Sequence, residues 1–395
     1  MKNQHLSPDT SKQFHKIPDL DIIDLDQEDD LRAMGSDESG DSLLPDESPE
    51  SAERKPRGNQ GVFSHINIHI VLLAVFLLFV AGIIYKIATF GVHIDLDEIF
   101  ADGPGEYNDT YDTILPLLDK SNNPVYMDFS EGSTILAFGN APFADDRNSE
   151  DNLVNLMRQE TGATIYNCSI SGSYLAALRT ERDMETAPQD IFHPYWLCQV
   201  AAHNQSACDD YLKALEILGD DAPPEAKEVY DTLQSIRLEE VDAIVLMYDA
   251  SDYLAGHVMI NPADATDITT FTGGTEAVIE YLQFYYSNVR LIVMSPTYAY
   301  AIDDNGDYIS SDMKRYGGQD VLSTYAILQY ASCVSRSVTF VDNIYNTITE
   351  DNAEKYLSDN IHLNPEGRKK VAERFAYALN YYNEASRNSS PPAQD

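Results

Sequence analysis

The apolar positions of this chain follow three different rules in turn. Up to residue 65 they follow none. The segment is polar, acidic and poor in aromatics, with Asp, Glu, Ser and Pro recurring from Asp19 to Glu53. It offers too little apolar surface to offset its ordering entropy, so residues 1–65 are expected to be a disordered acidic tail. Its one apolar patch, Leu20-Asp21-Ile22-Ile23-Asp24-Leu25, reads either as plain tail or as a short docking motif. From Ile70 to Tyr85 the run is unbroken apolar. With Ile66, Ile68 and the residues after Lys86 it reaches the roughly 20 positions that span a bilayer. It is apolar all round, where a helix on a soluble core is apolar on one face. A transmembrane helix over 66–89 is the expectation. Residues 90–132, broken by Gly103, Pro104, Gly105, Asn122, Asn123 and Pro124, read as a stem.

The third rule begins near residue 133, where short β-rich runs alternate with helical periodicity. Strands are expected at Thr134–Phe138, Thr164–Ile170, Ala243–Tyr248, Val289–Met294 and Ser337–Val341, and helices at Leu153–Glu160 and Glu276–Tyr286. Such alternation predicts an α/β domain with a parallel sheet covered on both faces, its chemistry at the carboxyl ends of the strands. Residues 181–240 interrupt the rhythm with Trp196, Pro223-Pro224 and a charged helical run, and read as an insertion beside the site, a lid or a partner surface. Asp303-Asp304-Asn305-Gly306-Asp307 predicts a hairpin turn, because the spacing and terminal Glu of a calcium loop are missing. The domain is expected over 133–385, with a second disordered tail at 386–395.

Charge narrows the partners. With 26 basic against 65 acidic residues the net charge is −39, which argues against a nucleic-acid partner and against anionic lipid headgroups. Arg54, Lys55 and Arg57 precede the apolar run and only Lys86 follows closely. The positive-inside rule therefore predicts a single-pass protein of the cell membrane, its N-terminus cytoplasmic and its main domain outside. About 60 residues precede the run, which is unlike a cleaved signal peptide. The bilayer is thus an expected partner. All four cysteines fall after the span, where disulfides are permitted. Cys198 and Cys208, close together in one irregular region, are the expected pair, while Cys168 and Cys333 read as small buried hydrophobes. No Cys-x-x-Cys pattern occurs, and no metal or cofactor is expected.

The candidate chemistry centres on Asp359-Asn360-Ile361-His362-Leu363-Asn364-Pro365-Glu366-Gly367. Asn364 is a good N-cap, Pro365 suits the first helical position, and Glu366 favours the positive end of the helix dipole. An apolar stripe at Val371, Phe375, Ala378 and Leu379 follows at helical spacing. Asp359 and His362 would then lie on a short loop fixed by a docked helix. A carboxylate so close to an imidazole can set its tautomer and raise its basicity.

This block resembles the last sequence block of the SGNH (GDSL-type) hydrolases, which supplies the acid and base of a Ser-His-Asp triad. The resemblance extends over about 133–383 and implies a flavodoxin-like three-layer domain. The family's first block, Gly-Asp-Ser after a strand, matches Gly139-Asn140-Ala141, which puts alanine at the nucleophile position. Gly172 matches the second block, whose backbone N–H helps hold the oxyanion. The third, Gly-x-Asn-Asp, matches Asp249-Ala250-Ser251-Asp252, so Ser251 replaces the oxyanion-hole asparagine. Asn140, Gly172 and Ser251 are the implied oxyanion or substrate-binding positions, with Asp359 and His362 as acid and base. Ser171, Ser173 and Ser251 lie at neighbouring strand ends, as substitute hydroxyls or as turn and capping groups. Tyr248, Tyr253, Tyr298 and Tyr300 are placed around the cleft, to stack on sugar rings or to pack the core. Two readings follow. One is a membrane-anchored envelope esterase, deacetylase or acyltransferase acting on O-acyl groups of a cell-wall or exported glycan. The other is a degenerate domain that binds a glycan or protein partner, with Asp359–His362 retained as a structural tie.

Overall fold

The structure is a computed structural model that describes residues 111–119 and 123–383. The expected tails, the span at 66–89 and most of the stem lie outside the described residues. Among the described residues no helix is long and apolar enough to cross a membrane.

Five parallel strands form the centre. In chain order the elements are β1 (Thr134–Gly139), α1 (Leu153–Thr161), β2 (Thr164–Asn167), α2 (Pro194–Ala201), α3 (Gln205–Leu218), α4 (Ala226–Ser235), β3 (Ala243–Met247), α5 (Phe271–Tyr285), β4 (Arg290–Met294), α6 (Leu322–Ser335), β5 (Thr339–Val341) and α7 (Pro365–Leu379). The strand order is 2-1-3-4-5, all parallel. This is the flavodoxin-like order, whose direction of winding reverses between β1 and β3 and leaves a crevice at their carboxyl ends. Every residue of β3 is buried, and β1 is buried from Ile135 onward. That explains why these strands read as continuous apolar runs. Helix α7 packs on α1, and α5 packs on α2 and α6. Right-handed crossovers put the two groups on opposite faces of the sheet.

Strand β2 ends three residues earlier than expected. The Asn167 side chain accepts from Ser169 N–H and Oγ–H and donates to the Phe143 carbonyl. These bonds turn the chain out of regular strand, although Cys168 and Ile170 N–H still donate to Ala137 and Gly139 on β1. Residues 181–240 are an integral helical layer. Leu197, Ala207, Tyr211, Val229 and Leu233 join the main core, and the stretch also borders the site, as described below. The Asn305-Gly306 hairpin forms between Tyr300–Ile302 and Tyr308–Ser310.

One expectation is corrected, and one open choice is decided. Cys198 and Cys208 are not joined, and all four cysteines are free and buried. Cys198 faces the core from α2, while the Cys208 thiol, on α3, donates to Val200 O and accepts from Gln234 Nε2. Of the cleft tyrosines, Tyr248, Tyr253 and Tyr298 are core residues and Tyr300 packs against the core.

Candidate active site

Three strand ends and one loop build the site. At the end of β1, a Cβ on Gly139 would lie 2.1 Å from Met247 O, so only glycine lets β1 and β3 approach here. Asn140 follows, buried, and Ala141 opens a single helical turn, Ala141–Ala144. Past the end of β2, the bond from Ile170 N–H to Gly139 O holds Ser171-Gly172-Ser173 beside that turn. Gly172 is exposed and left-handed, with φ +70°, a conformation that costs a non-glycine residue strain. Past β3, Asn140 Nδ2 donates to Asp249 Oδ1 at 2.8 Å and to Ser173 O at 3.1 Å, and Asp249 N–H donates to Asn140 Oδ1 at 3.0 Å. The β1, β2 and β3 ends are thus stitched together at the switch point.

The fourth part is the loop before α7. Leu357 and Leu363 form an antiparallel bridge that closes the turn. Asp359 Oδ1 accepts from the N–H groups of Ile361 (2.9 Å) and His362 (2.7 Å), and Oδ2 meets His362 Nδ1 at 2.7 Å. With Nδ1 engaged, Nε2 is left for other work. Asn364 caps α7 as its sequence predicts, accepting from Gly367 N–H at 3.0 Å. Two ties hold the loop to the domain. Tyr300 N–H donates to Asn360 O at 2.8 Å. Arg368, buried on α7, donates to Leu363 O, Asp151 O and Asp146 Oδ2, which binds the dyad loop to the segment after the Ala141 turn.

The electrostatics follow from this crowding. Burial alone would lower the His362 pKa. The hydrogen bond and charge of Asp359, with the carboxylates of Asp145 and Asp249, outweigh burial and hold it above the ordinary histidine value. For Asp359, burial raises the pKa, and donation from the His362 and Ile361 amides and the imidazole brings it below the usual range. Asp249 is pushed up by burial, against hydrogen bonds from Ser251 and Asn140. The site is therefore one imidazole among three carboxylates.

Of the residues singled out from sequence, Asp359 and His362 are in contact, and Asn140, Ser173 and Asp249 join at the strand ends. Ser251 Oγ donates to Asp249 Oδ1 at 2.5 Å and Ser173 Oγ to Ile170 O at 2.8 Å, so both hydroxyls are occupied in local turns. No oxygen stands at position 141. Sequence reasoning gave no role to Asp252 and His257. The Asp252 carboxylate, fully buried, accepts from Leu175 and Ala176 N–H and pairs with His257 Nδ1 at 2.8 Å. It anchors the loop that carries Gly172. Its signal was available, because it is the final Asp of the third block. A recess of about 280 Å³, bordered by Gly172, Tyr174, His193 and His257, opens beside this loop. Among the described residues no group of three or more His, Cys, Asp or Glu side chains is placed to hold a metal ion.

No family model matches the chain, and no curated protein matches it. Solved structures similar to it include a protein from Lactobacillus plantarum, at 16% identity over 65% of this chain and 99% of that one, TM-score 0.44. A carbohydrate acetylesterase from Sinorhizobium meliloti is similar at 13% identity over 62% and 98%, TM-score 0.38. A protein from Desulfitobacterium hafniense, described provisionally as a lipolytic protein of the G-D-S-L family, is similar at 12% identity over 62% and 99%, TM-score 0.36.

Proposed function

We propose that residues 133–383 form an SGNH-type domain that binds an acylated glycan of the cell envelope in the switch-point cleft without forming an acyl-enzyme. In this reading the span at 66–89 anchors the domain on the outer face of the membrane. The observation that carries the proposal is Ala141. It occupies the first position of the turn after β1, where acyl transfer would need an activated oxygen.

A second reading has one specific support, the Asp359–His362 contact at 2.7 Å. That geometry suits a base that activates water directly, with Gly172 N–H as an oxyanion donor. Ester hydrolysis by the purified chain separates the two. Binding without turnover predicts background rates on activated acetyl esters, and rates that depend on His362 in the wild-type chain would favour direct water attack.

A further inference from the structure

A second aromatic cluster lies away from the tyrosines placed around the cleft by sequence, and two of its rings, Phe284 and Tyr285, are open to solvent. Tyr195 and Trp196 on α2 and Tyr281, Phe284 and Tyr285 on α5 line a recess of about 500 Å³, completed by the segment Asp264–Ile268. None of its lining residues borders the recess beside Gly172. Its size is that of a small-molecule site, about 300–1,000 Å³. The five rings form one continuous series, with centroids 4.6 Å apart for Tyr195 and Trp196, 5.9 Å for Tyr195 and Tyr281, 5.0 Å for Tyr281 and Tyr285, and 4.7 Å for Phe284 and Tyr285. Phe284 is 77% exposed and Tyr285 63% exposed. Both leave ring surface open to water at the edge of the recess. The wall behind them is braced. The Arg182 guanidinium lies 4.7 Å over the Trp196 ring and is itself held by Asp210 at 2.7 Å.

We propose that this recess binds a neutral glycan, a β-linked chain of pyranose rings with equatorial substituents. Such rings present flat faces of C–H groups to stack on aromatic side chains, and their hydroxyls project sideways as hydrogen-bond donors. Asp264 and Asp267 border these rings; Asp267 is held in its own turn by Thr269 and Asn261 and Asp264 Oδ1 by Thr266, so Asp264 Oδ2 is the oxygen placed to accept such donors in charge-assisted bonds. The same carboxylates, on a chain of net charge −39, repel anionic polymers. The alternative for an aromatic and acidic recess is a quaternary ammonium ion, which requires rings standing apart around a gap. Here successive rings touch, with centroids 4.6 to 5.9 Å apart, which leaves no gap between them for a cation to enter.

This inference does not depend on the fate of the Ala141 cleft, and its test reads a different place. Trp196 is the only tryptophan in the sequence, so tryptophan emission reports from the wall of this recess. Detergent-solubilised full-length protein is titrated separately with cellotetraose, tetra-N-acetylchitotetraose, polygalacturonate and choline. At least one of the two neutral tetrasaccharides should shift the emission saturably. Phe284→Ala and Tyr285→Ala, both at exposed positions, should each weaken that binding about tenfold, the loss typical of an aromatic anchor. His362→Ala should leave it unchanged. A response to choline alone, a response to polygalacturonate equal to that of the sugars, no response to either tetrasaccharide, or a response that survives both aromatic changes would each overturn the proposal.

Discussion

Asn140 and Asp249 exchange two hydrogen bonds across the switch point, side chain to side chain at 2.8 Å and backbone N–H to side chain at 3.0 Å. Asn140 is 1% exposed and Asp249 3%. An amide suits this place because it donates and accepts at once. The first block of the resembled family has an aspartate at this position and the third begins with glycine. Here the amide stands at the β1 end and the acid at the β3 end, joined by these bonds.

The pairing makes a stability prediction. Asn140→Asp would face two buried carboxylates across one hydrogen-bond length, with a donor to Ser173 O lost as well. The expected cost is about 3 kcal/mol at neutral pH, the scale of an uncompensated buried charge. It should shrink as pH falls and one carboxyl takes a proton. Adding Asp249→Asn restores one amide and one acid, so the double variant should recover more than half of the loss in urea unfolding. Additive losses would show that the two side chains are not coupled.

His193 predicts an acid-labile fold. It is fully buried, its Nε2 bonds Leu175 O at 2.8 Å, and its Nδ1 accepts from Tyr195 N–H at 3.2 Å. That pattern needs the neutral ring. Burial, working against the Leu175 bond, pushes its pKa down to about 4. The folded pKa lies below the unfolded value of about 6.5, so the unfolded chain takes up the proton first. Stability from this residue is therefore complete above pH about 6.5 and is lost as pH falls toward 4, in total about 3 kcal/mol. His362 runs the other way: its raised pKa contributes below pH about 6.5 and is lost as pH rises through the folded value. Urea unfolding between pH 4 and 7 should show the acid slope, and His193→Gln should flatten it.

The thiols predict an absence of chemistry. All four cysteines are buried, and burial pushes the Cys168 thiol up to about 12 and raises Cys198, Cys208 and Cys333 as well. Little thiolate forms near neutral pH, and thiolate is the reactive species. Mapping without reductant should find four free cysteines that alkylate only after denaturation. A linked Cys198–Cys208 pair in that map would show the free-thiol arrangement to be wrong.

How much of this was legible in the sequence depends on what each element does. The strands were readable because they are buried on both faces, which leaves an unbroken apolar run. Helix α7 was readable through its cap, Asn364-Pro365-Glu366, and through the stripe it buries. Helix α6 was missed for the opposite reason. Leu322, Thr324 to Gln329, Ser332 and Cys333 are all buried, so no polar face gives it a 3.6-residue period. Within the site, Asp359–His362 was visible because both partners lie within four residues. The Asn140–Asp249 pair spans 109 positions, and the Arg368–Asp146 tie spans 222. Contacts of that range have no local signature. The tyrosines could not be sorted locally, because aromatic residues near strand ends serve equally to stack on a ligand and to fill a core.

The decisive prediction concerns Ala141. Removing the nucleophile of a working serine triad costs about a millionfold in turnover, so the wild-type chain should be near background on activated acetyl esters. Ala141→Ser replaces one hydrogen with an oxygen at a half-buried position and should fold normally. If the dyad still faces the turn, as the Arg368 and Tyr300 ties imply, the new hydroxyl gains a base and activity should rise measurably. The gain should vanish in the double variant with His362→Ala. It should also grow as pH rises above about 6.5, because the base must be neutral and Asp359, Asp145 and Asp249 hold the His362 pKa above its ordinary value. Ser251 lends its hydroxyl to Asp249 and offers no amide donor to an oxyanion. A missing donor costs about 3 kcal/mol, so adding Ser251→Asn to Ala141→Ser should increase the rate further. Strong wild-type turnover that is lost in His362→Ala would overturn the binding reading and leave water as the nucleophile. A folded Ala141→Ser chain that stays silent at every pH would instead make the Asp359–His362 contact a structural tie of the last loop.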